Sequence, residues 1–387
     1  MRYGPEEDWR NGGFGVYVHW PFCLALCPYC DFNSHVRREV DHDRWRAALI
    51  AELERARVLT GPRAADAIFF GGGTPSLMAP ETVGGIIEAV DRLWGFAPEA
   101  EVTLEANPTS IEAARFAAYA SAGVNRVSMG AQALNDADLK RLGRMHSAAE
   151  ARAAFDIARK AFDRVSFDLI YARQDQTPDQ WAAELREAID MAVDHLSLYQ
   201  LTIEHGTRFA ELHARGGLRG LPTDDRAAEM YEITQEVTSA AGMPAYEVSN
   251  HARPGAKSRH NLIYWRYGDY VGVGPGAHGR LTLDGKRWAT ETPRGPEDWL
   301  AAVEGEGATA REALPADAPA DEYALLSLRL AEGLDLERRA ALAGAPIATD
   351  RIADAARHGL ALRDGDRLKA TPEGRAVLNA LLASLLT

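Results

Sequence analysis

Six times in the first 241 residues an apolar, strand-like run gives way to a helical pattern, and this rhythm limits what the chain can fold into. Residues 15–20, 67–70, 101–106, 126–130, 164–171 and 195–203 read as strands. Residues 43–59, 82–94, 111–122, two stretches up to 162, 179–193 and 226–241 carry helical spacing, and 245–248 reads as a seventh extended run. Strands alternating with helices imply an α/β fold with a parallel sheet covered by helices. Six units joined by right-handed crossovers fit a partial TIM barrel better than a flat doubly wound sheet, although periodicity alone leaves both open.

The last 70 residues change character. A helix is expected over 321–330, with Tyr323, Leu326 and Leu330 on one face. Residues 360–362 and 367–370 flank Asp364-Gly365 as a small hairpin. Thr371 then caps a final helix with Pro372 at its first position. This is the order of a small helical, winged-helix-like module. The Ala/Pro/Glu/Gly-rich stretch 293–319 reads as the boundary. The expected division is a core over 1–290, with 245–290 as its extension, and a C-terminal domain over 291–387.

A formal net charge of −13 opposes non-specific binding of nucleic acid, because the summed field repels phosphates. Residues 1–13 are polar, with no apolar segment of a secretory signal, and no run of about 18 apolar residues predicts a membrane span.

All three cysteines, Cys23, Cys27 and Cys30, sit in one loop with the spacing C-x3-C-x2-C. An odd count makes no disulfide framework, and unpaired thiols without a signal point to a reducing cytoplasm. The loop follows a strand, on the face where TIM barrels place their active sites. Three thiolates suit three irons of a [4Fe–4S] cubane, whose full cysteine ligation takes four; one iron would then be open to another ligand. The alternative is a zinc site with His19 or His35 as fourth ligand.

Gly71-Gly72-Gly73-Thr74-Pro75 ends the second strand. Such a turn either closes a tight βα loop or lets backbone N–H groups converge on a ligand. Glu105, Gln132 and Asp168 lie at or just past later strand ends. A carboxylate in a buried strand costs several kcal/mol unless partnered, so each marks an ion pair or a ligand contact. Arg144 offers a planar fork suited to a carboxylate. In His260-Asn261-Leu262-Ile263-Tyr264-Trp265, imidazole is a common heme ligand and the aromatic rings offer flat faces; equally, these are packing residues.

The cysteine spacing resembles the signature of the radical S-adenosylmethionine (SAM) superfamily. The set YxHxPFC, GGGTP, strand Glu, GxQ, Arg and DLIY resembles the oxygen-independent coproporphyrinogen III oxidases and their relatives, over roughly the first 280 residues. The resemblance implies a [4Fe–4S] cluster on Cys23, Cys27 and Cys30 whose open iron binds SAM and can cleave it to a 5′-deoxyadenosyl radical. It implies SAM contacts from Tyr17, Gly72, Gly73, Thr74, Glu105, Gln132, Arg144 and Asp168, with Tyr29 flanking the adenine. Arg144 and Glu105 would hold the amino-acid end, and Gln132 and Asp168 the ribose hydroxyls.

Within that group the oxidases carry a further cysteine two positions past the third; here that position is Phe32. CPYCDFN together with HNxxYW resembles the heme chaperone family HemW. That implies heme binding by His260, Asn261, Tyr264 and Trp265, delivery to heme-accepting proteins such as respiratory enzymes, and membrane association through such partners. A homodimer is compatible with it. The alternative is oxidative decarboxylation of coproporphyrinogen III. One departure stands out: where the family reads DLIYGLP, this chain has Ala172-Arg173-Gln174 after Tyr171, so the turn must adopt another conformation.

Overall fold

In the computed structural model, which describes residues 3–386, the six expected strands lie side by side. Phe14–Trp20, Ala65–Gly72, Phe96–Ala106, Arg126–Gln132, Arg164–Tyr171 and His195–Gln200 follow one another across the sheet in chain order, each pair parallel. Neighbours in sequence order with helices between them are the product of βα crossovers, and the result is a partial TIM barrel. The sheet continues at both edges. Asn250–Ala252 pairs antiparallel with His195–Gln200. On the other side Asp269–Val273 pairs parallel with the first strand, Phe14 opposite Asp269 and Val18 opposite Val273. Three antiparallel strands, His278–Leu283, Lys286–Glu291 and Ala310–Ala313, extend that edge.

Strand alternation sorts the side chains into two interiors. Phe14, Val16, Val18 and Trp20, then Ile68 and Phe70, Val102 and Leu104, Val127 and Met129, Val165, Phe167 and Leu169, and Leu196 and Leu198 join one apolar core against the helices. Burying each large apolar side chain contributes roughly 1.5–3 kcal/mol. The intervening residues, Tyr17, His19, Glu101, Thr103, Glu105, Arg126, Ser128, Ser166, Asp168, Ser197 and Tyr199, occupy the opposite, barrel-side register. The barrel interior is therefore polar, which is why carboxylates interrupt apolar strands.

Several expected elements differ. The run 245–248 is a turn, because the Glu247 carboxylate accepts from Ser249 N at 2.9 Å and Asn250 Nδ2 at 2.6 Å; the strand starts at Asn250. The helix expected over 111–122 is two, Ser110–Ala113 and Phe116–Ser121. The stretch 293–319 contains a helix, Pro296–Glu304, that packs into the barrel core: Trp299 stacks on Trp45 at 5.3 Å, and Trp45 meets Phe22 at 4.9 Å. With Ala310–Ala313 also part of the main sheet, we propose that the division of the chain falls near Leu314. Beyond it, Leu334–Asp335, the helices Leu336–Ala343 and Thr349–Arg357, and the hairpin Ala361–Asp364/Arg367–Ala370 have the winged-helix order, around a core of Tyr323, Leu334, Leu368 and Leu381. Thr371 caps as expected. The buried pair Asp8–Arg338, at 2.7 Å, ties the N-terminal segment to this module. Among the described residues no helix is long and apolar enough to cross a membrane.

Candidate functional site

The C-terminal ends of the barrel strands surround a cavity of about 600 Å³, a size suited to a small-molecule cofactor. Cys23, Cys27, Tyr29, Cys30, Gly72, Gly73, Thr74, Glu105, Gln132, Arg144 and Asp168 all line it. Residues separated by up to 145 positions thus converge because their strands share one end of one sheet.

Cys23 ends a short strand, Phe22–Cys23, whose Phe22 is rooted in the tryptophan cluster. The glycine turn lies directly beneath: Gly73 N donates to Trp20 O at 2.7 Å and Thr74 N to Phe22 O at 2.9 Å. A Cβ on Gly73 would stand 2.9 Å from the Phe22 carbonyl, so glycine is required by close backbone approach. Thr74 Oγ1 donates to Cys23 Sγ at 3.3 Å, and Arg144 Nη1 to Cys27 Sγ at 3.4 Å. Burial raises the Cys23 thiol and, with the neighbouring thiols, pushes Cys30 up to about 11. Metal binding here would release protons.

Zinc fits poorly. Structural zinc takes four ligands, and the loop offers three thiols, whereas in a cubane each thiolate meets a different iron. His19 is spoken for: its ring nitrogens bond to the Tyr17 hydroxyl and the Asn33 carbonyl, each at 2.9 Å. The buried Arg144 Nε without a partner, the three thiols and the glycine cradle fit a cluster with an anionic ligand beside it.

Glu105 and Asp168 face the cavity from two strands. Burial, then the Asp168 charge, pushes Glu105 up to about 8. Burial pushes Asp168 up to about 6 against hydrogen bonds that favour its charged form, one from Ser128 Oγ at 3.3 Å. Gln132 ends its strand after an irregularity in pairing, with φ +68°. The fork of Arg144 bonds to Asn107 Oδ1 at 2.6 Å and Gly130 O at 2.8 Å. It therefore braces the thiol loop and the strand ends.

The altered turn is bonded into this wall. Ala172 adopts φ +59°, a region glycine enters freely. Arg173 is 3% exposed and bonds to Asp138, Glu184, the Ile170 carbonyl and, at 3.5 Å, the Gln132 carbonyl. Arg173→Leu strands two partly buried carboxylates. It is expected to cost about 3–5 kcal/mol, read as a lower denaturant midpoint; an unchanged midpoint would mean that the pairs do not form.

Five predicted residues lie outside the cavity lining: Tyr17, His260, Asn261, Tyr264 and Trp265. The motif forms a short helix, Arg259–Trp265, packed against the first two strands. Its N-terminus is held by Glu101, which accepts from Ser258 Oγ at 3.1 Å and Arg259 N at 3.0 Å. His260 stacks on Phe69 at 4.1 Å and near-parallel to Tyr17 at 6.1 Å; Tyr264 meets it edge-on. Asn261 and Trp265 point elsewhere. Asn261 Nδ2 donates to Tyr246 Oη, and Trp265 lies under Arg329 of the C-terminal part. Burial, then the Arg126 charge, pushes His260 down to about 3.

Sequence reasoning missed Asn107, Tyr199 and, apart from Phe32, the apolar rim. Leu24, Leu26, Phe32, Ile111 and Met145 line the mouth with exposed side chains, Phe32 at 59%. Asn107 had a signal, as a polar residue two places past Glu105.

Fold and site together define a radical SAM protein. The sequence model of the Radical SAM superfamily matches residues 17–188. The chain is 41% identical to the heme chaperone HemW of Mycobacterium tuberculosis, over 96% of this chain and 95% of that one. It is 36% identical to the heme chaperone HemW of Escherichia coli K12, over 96% and 97%. It is 40% identical to the mitochondrial radical S-adenosyl methionine domain-containing protein 1 of Bos taurus, over 96% and 87%. In fold it is similar to the radical SAM coproporphyrinogen III oxidase HemN of E. coli, with a TM-score of 0.80 at 24% identity over 100% and 92% of the two chains. The chain belongs to the HemW family of heme chaperones.

Proposed function

We propose that this protein binds heme and delivers it to heme-dependent proteins, on a radical SAM core carrying a [4Fe–4S] cluster and SAM. The observation that carries the heme reading is His260. Burial holds its ring neutral, and Phe69, Tyr17 and Tyr264 surround it. A neutral imidazole with its lone pair is a metal ligand in waiting. The family relatives named heme chaperones support the same reading. Iron ligation there requires the helix Arg259–Trp265 to leave its seat or the porphyrin to enter the barrel.

Cys23, Cys27 and Cys30 would hold three irons, and Thr74 and Arg144 would orient the first two thiolates. The bound cluster and SAM supply one-electron chemistry at the sulfonium. Glu105 and Asp168 would meet the positively charged and hydroxyl-bearing parts of that cofactor. We place the protein in a reducing cytoplasm, where free thiols persist.

Oxygen-free reconstitution, heme titration and a porphyrinogen product assay on one preparation test the reading. Stoichiometric heme with no decarboxylation is expected; decarboxylation of coproporphyrinogen III without heme uptake would replace the chaperone reading by the oxidase. His260→Ala is expected to weaken heme binding roughly 100-fold, at least what removing an outer-shell partner costs a metal site, with the cluster spectrum retained. An unchanged heme spectrum would move the ligand elsewhere.

A further inference from the structure

We infer that Arg126 is a positioning residue for the cavity: from deeper in the barrel it drives a one-way chain of hydrogen bonds through Ser166 and Ser128 that ends on Asp168 and keeps that carboxylate an acceptor. The consequence for a ligand rests on the SAM reading; the chain itself does not.

Arg126 is a buried cation without a close counter-charge of its own. The Glu101 carboxylate stands 3.9 Å away and is already engaged by Arg164 at 2.7 Å, Ser258 Oγ at 3.1 Å and Arg259 N at 3.0 Å. Arg126 Nε has no partner among the described residues. Its Nη1 donates to Thr103 Oγ1 at 3.4 Å and its Nη2 to Ser166 Oγ at 2.7 Å. Strand pairing makes the next steps. Ser128 and Ser166 stand opposite one another in parallel strands. Arg126 lies two residues before the first and Asp168 two residues after the second, so all four side chains share one face. The two hydroxyls meet at 2.9 Å, and Ser128 Oγ reaches Asp168 Oδ1 at 3.3 Å.

The direction of the chain is fixed at its start. A guanidinium only donates. Ser166 accepts from it and turns its own proton to Ser128, and Ser128 gives its proton to Asp168. This order requires an ionised Asp168. A protonated Asp168 would donate to Ser128, both hydroxyls would reverse, and the Ser166 proton would lose its acceptor, which is costly in a buried site. Burial raises Asp168, while Ser197, Arg126, Ser128 and Arg144 oppose the rise and leave it at about 6. Glu105 and Tyr199 also face it. Glu105, raised by burial and then by the Asp168 charge, stands at about 8 and takes a bond from the Gly72 backbone. Near neutrality the cavity therefore presents one ionised acceptor, suited to hydroxyl groups, and one protonated acid. Ser128 lines the cavity and Ser166 does not, so a change at Ser166 reaches a ligand only along the chain.

The first measurement needs no cofactor. In full-length Glu105→Gln protein, where the other carboxylate is silent, the melting temperature is followed from about pH 4 to 9. A carboxyl group raised in the fold stops losing stability once pH passes its folded value, so the Asp168 decline should end at about 6. Loss of a bond donated to a carboxylate should move that end up by about one pH unit, in Ser166→Ala and Ser128→Ala alike. The double variant should move it no further than one serine alone, because either break interrupts the whole chain. Ser128→Thr keeps the hydroxyl and should hold the parental end point. Arg126→Gln keeps a donor without the charge and should move the end point at least as far as the serine variants do. SAM is then titrated into cluster-loaded protein. Ser166→Ala should bind it about fivefold more weakly at about pH 6, and within about twofold of the parent at about pH 8, where Asp168 is ionised in both. An end point unmoved in the folded serine variants overturns the chain, as do serine effects that add. An equal loss of SAM affinity at both pH values makes Ser166 merely structural and overturns the positioning role. A parent that binds no SAM defeats the cofactor reading and leaves the melting result standing. Should Arg126→Gln fail to fold, the two serine variants decide.

Discussion

Cys27→Ala protein, reconstituted with iron and sulfide in the absence of oxygen, is expected to lack the brown absorbance near roughly 400 nm of thiolate-bound iron–sulfur centres. The loop offers only three thiols, and the chain has no other cysteine to substitute. Cys27 is also the thiol that Arg144 touches, at 3.4 Å. Its loss leaves two thiolates and a guanidinium facing a gap. Because Cys27 is half-buried and not a member of the apolar core, the melting temperature should change little. A variant that melts normally and is colourless separates ligand loss from unfolding. A variant that keeps full colour would place the cluster on other residues.

The second large effect concerns pH. The fold holds Glu105 protonated up to about 8 and Asp168 up to about 6, both above their ordinary carboxylate values and both chiefly through burial. A group raised in this way favours the folded state fully below its unfolded value near 4.5 or 3.8. That contribution is lost as pH rises through the folded value. Stability should therefore decline between about pH 4 and 8, with the Asp168 part gone first. Glu105→Gln imitates the protonated acid at every pH. It should melt like the parent near pH 5 and several degrees above it at pH 8.5, provided no ligand is present. Identical profiles would mean that Glu105 ionises freely. A cationic ligand reverses the preference by stabilising the carboxylate. SAM binding near neutral pH should thus release protons, seen as binding heats that differ between buffers of different ionisation enthalpy. No difference would place the cationic end away from Glu105.

Much of this was legible in the chain, and the exceptions have physical reasons. Strand and helix alternation marked six barrel strands because period-2 runs with apolar residues on the helix side are a local property. The cysteine loop and the glycine turn were legible because their spacing is local too. Glu105 and Asp168 could be seen as anomalies, although only the fold shows that they line one cavity. His19 escaped as a support and was weighed as a zinc ligand, since its partners lie 2 and 14 residues away and one is a backbone carbonyl. The helix Pro296–Glu304 was hidden in a stretch whose composition reads as linker; only Trp299 and its neighbours, packed onto Trp45, reveal it. The HNxxYW segment was legible as a string. That its histidine turns inward while Asn261 and Trp265 turn toward Tyr246 and Arg329 depends on contacts no spacing encodes.

The partner of the first strand has a consequence during synthesis. Phe14–Trp20 is flanked on one side by Ala65–Gly72 but on the other by Asp269–Val273, about 250 residues later. At ~5–20 residues per second a ribosome needs tens of seconds to supply that neighbour. For that time the strand leading into the thiol loop presents an open edge, a template for wrong pairing. A nascent chain of this design is exposed at the segment it can least afford to misplace, and slowing translation between the two strands should raise its dependence on holding factors.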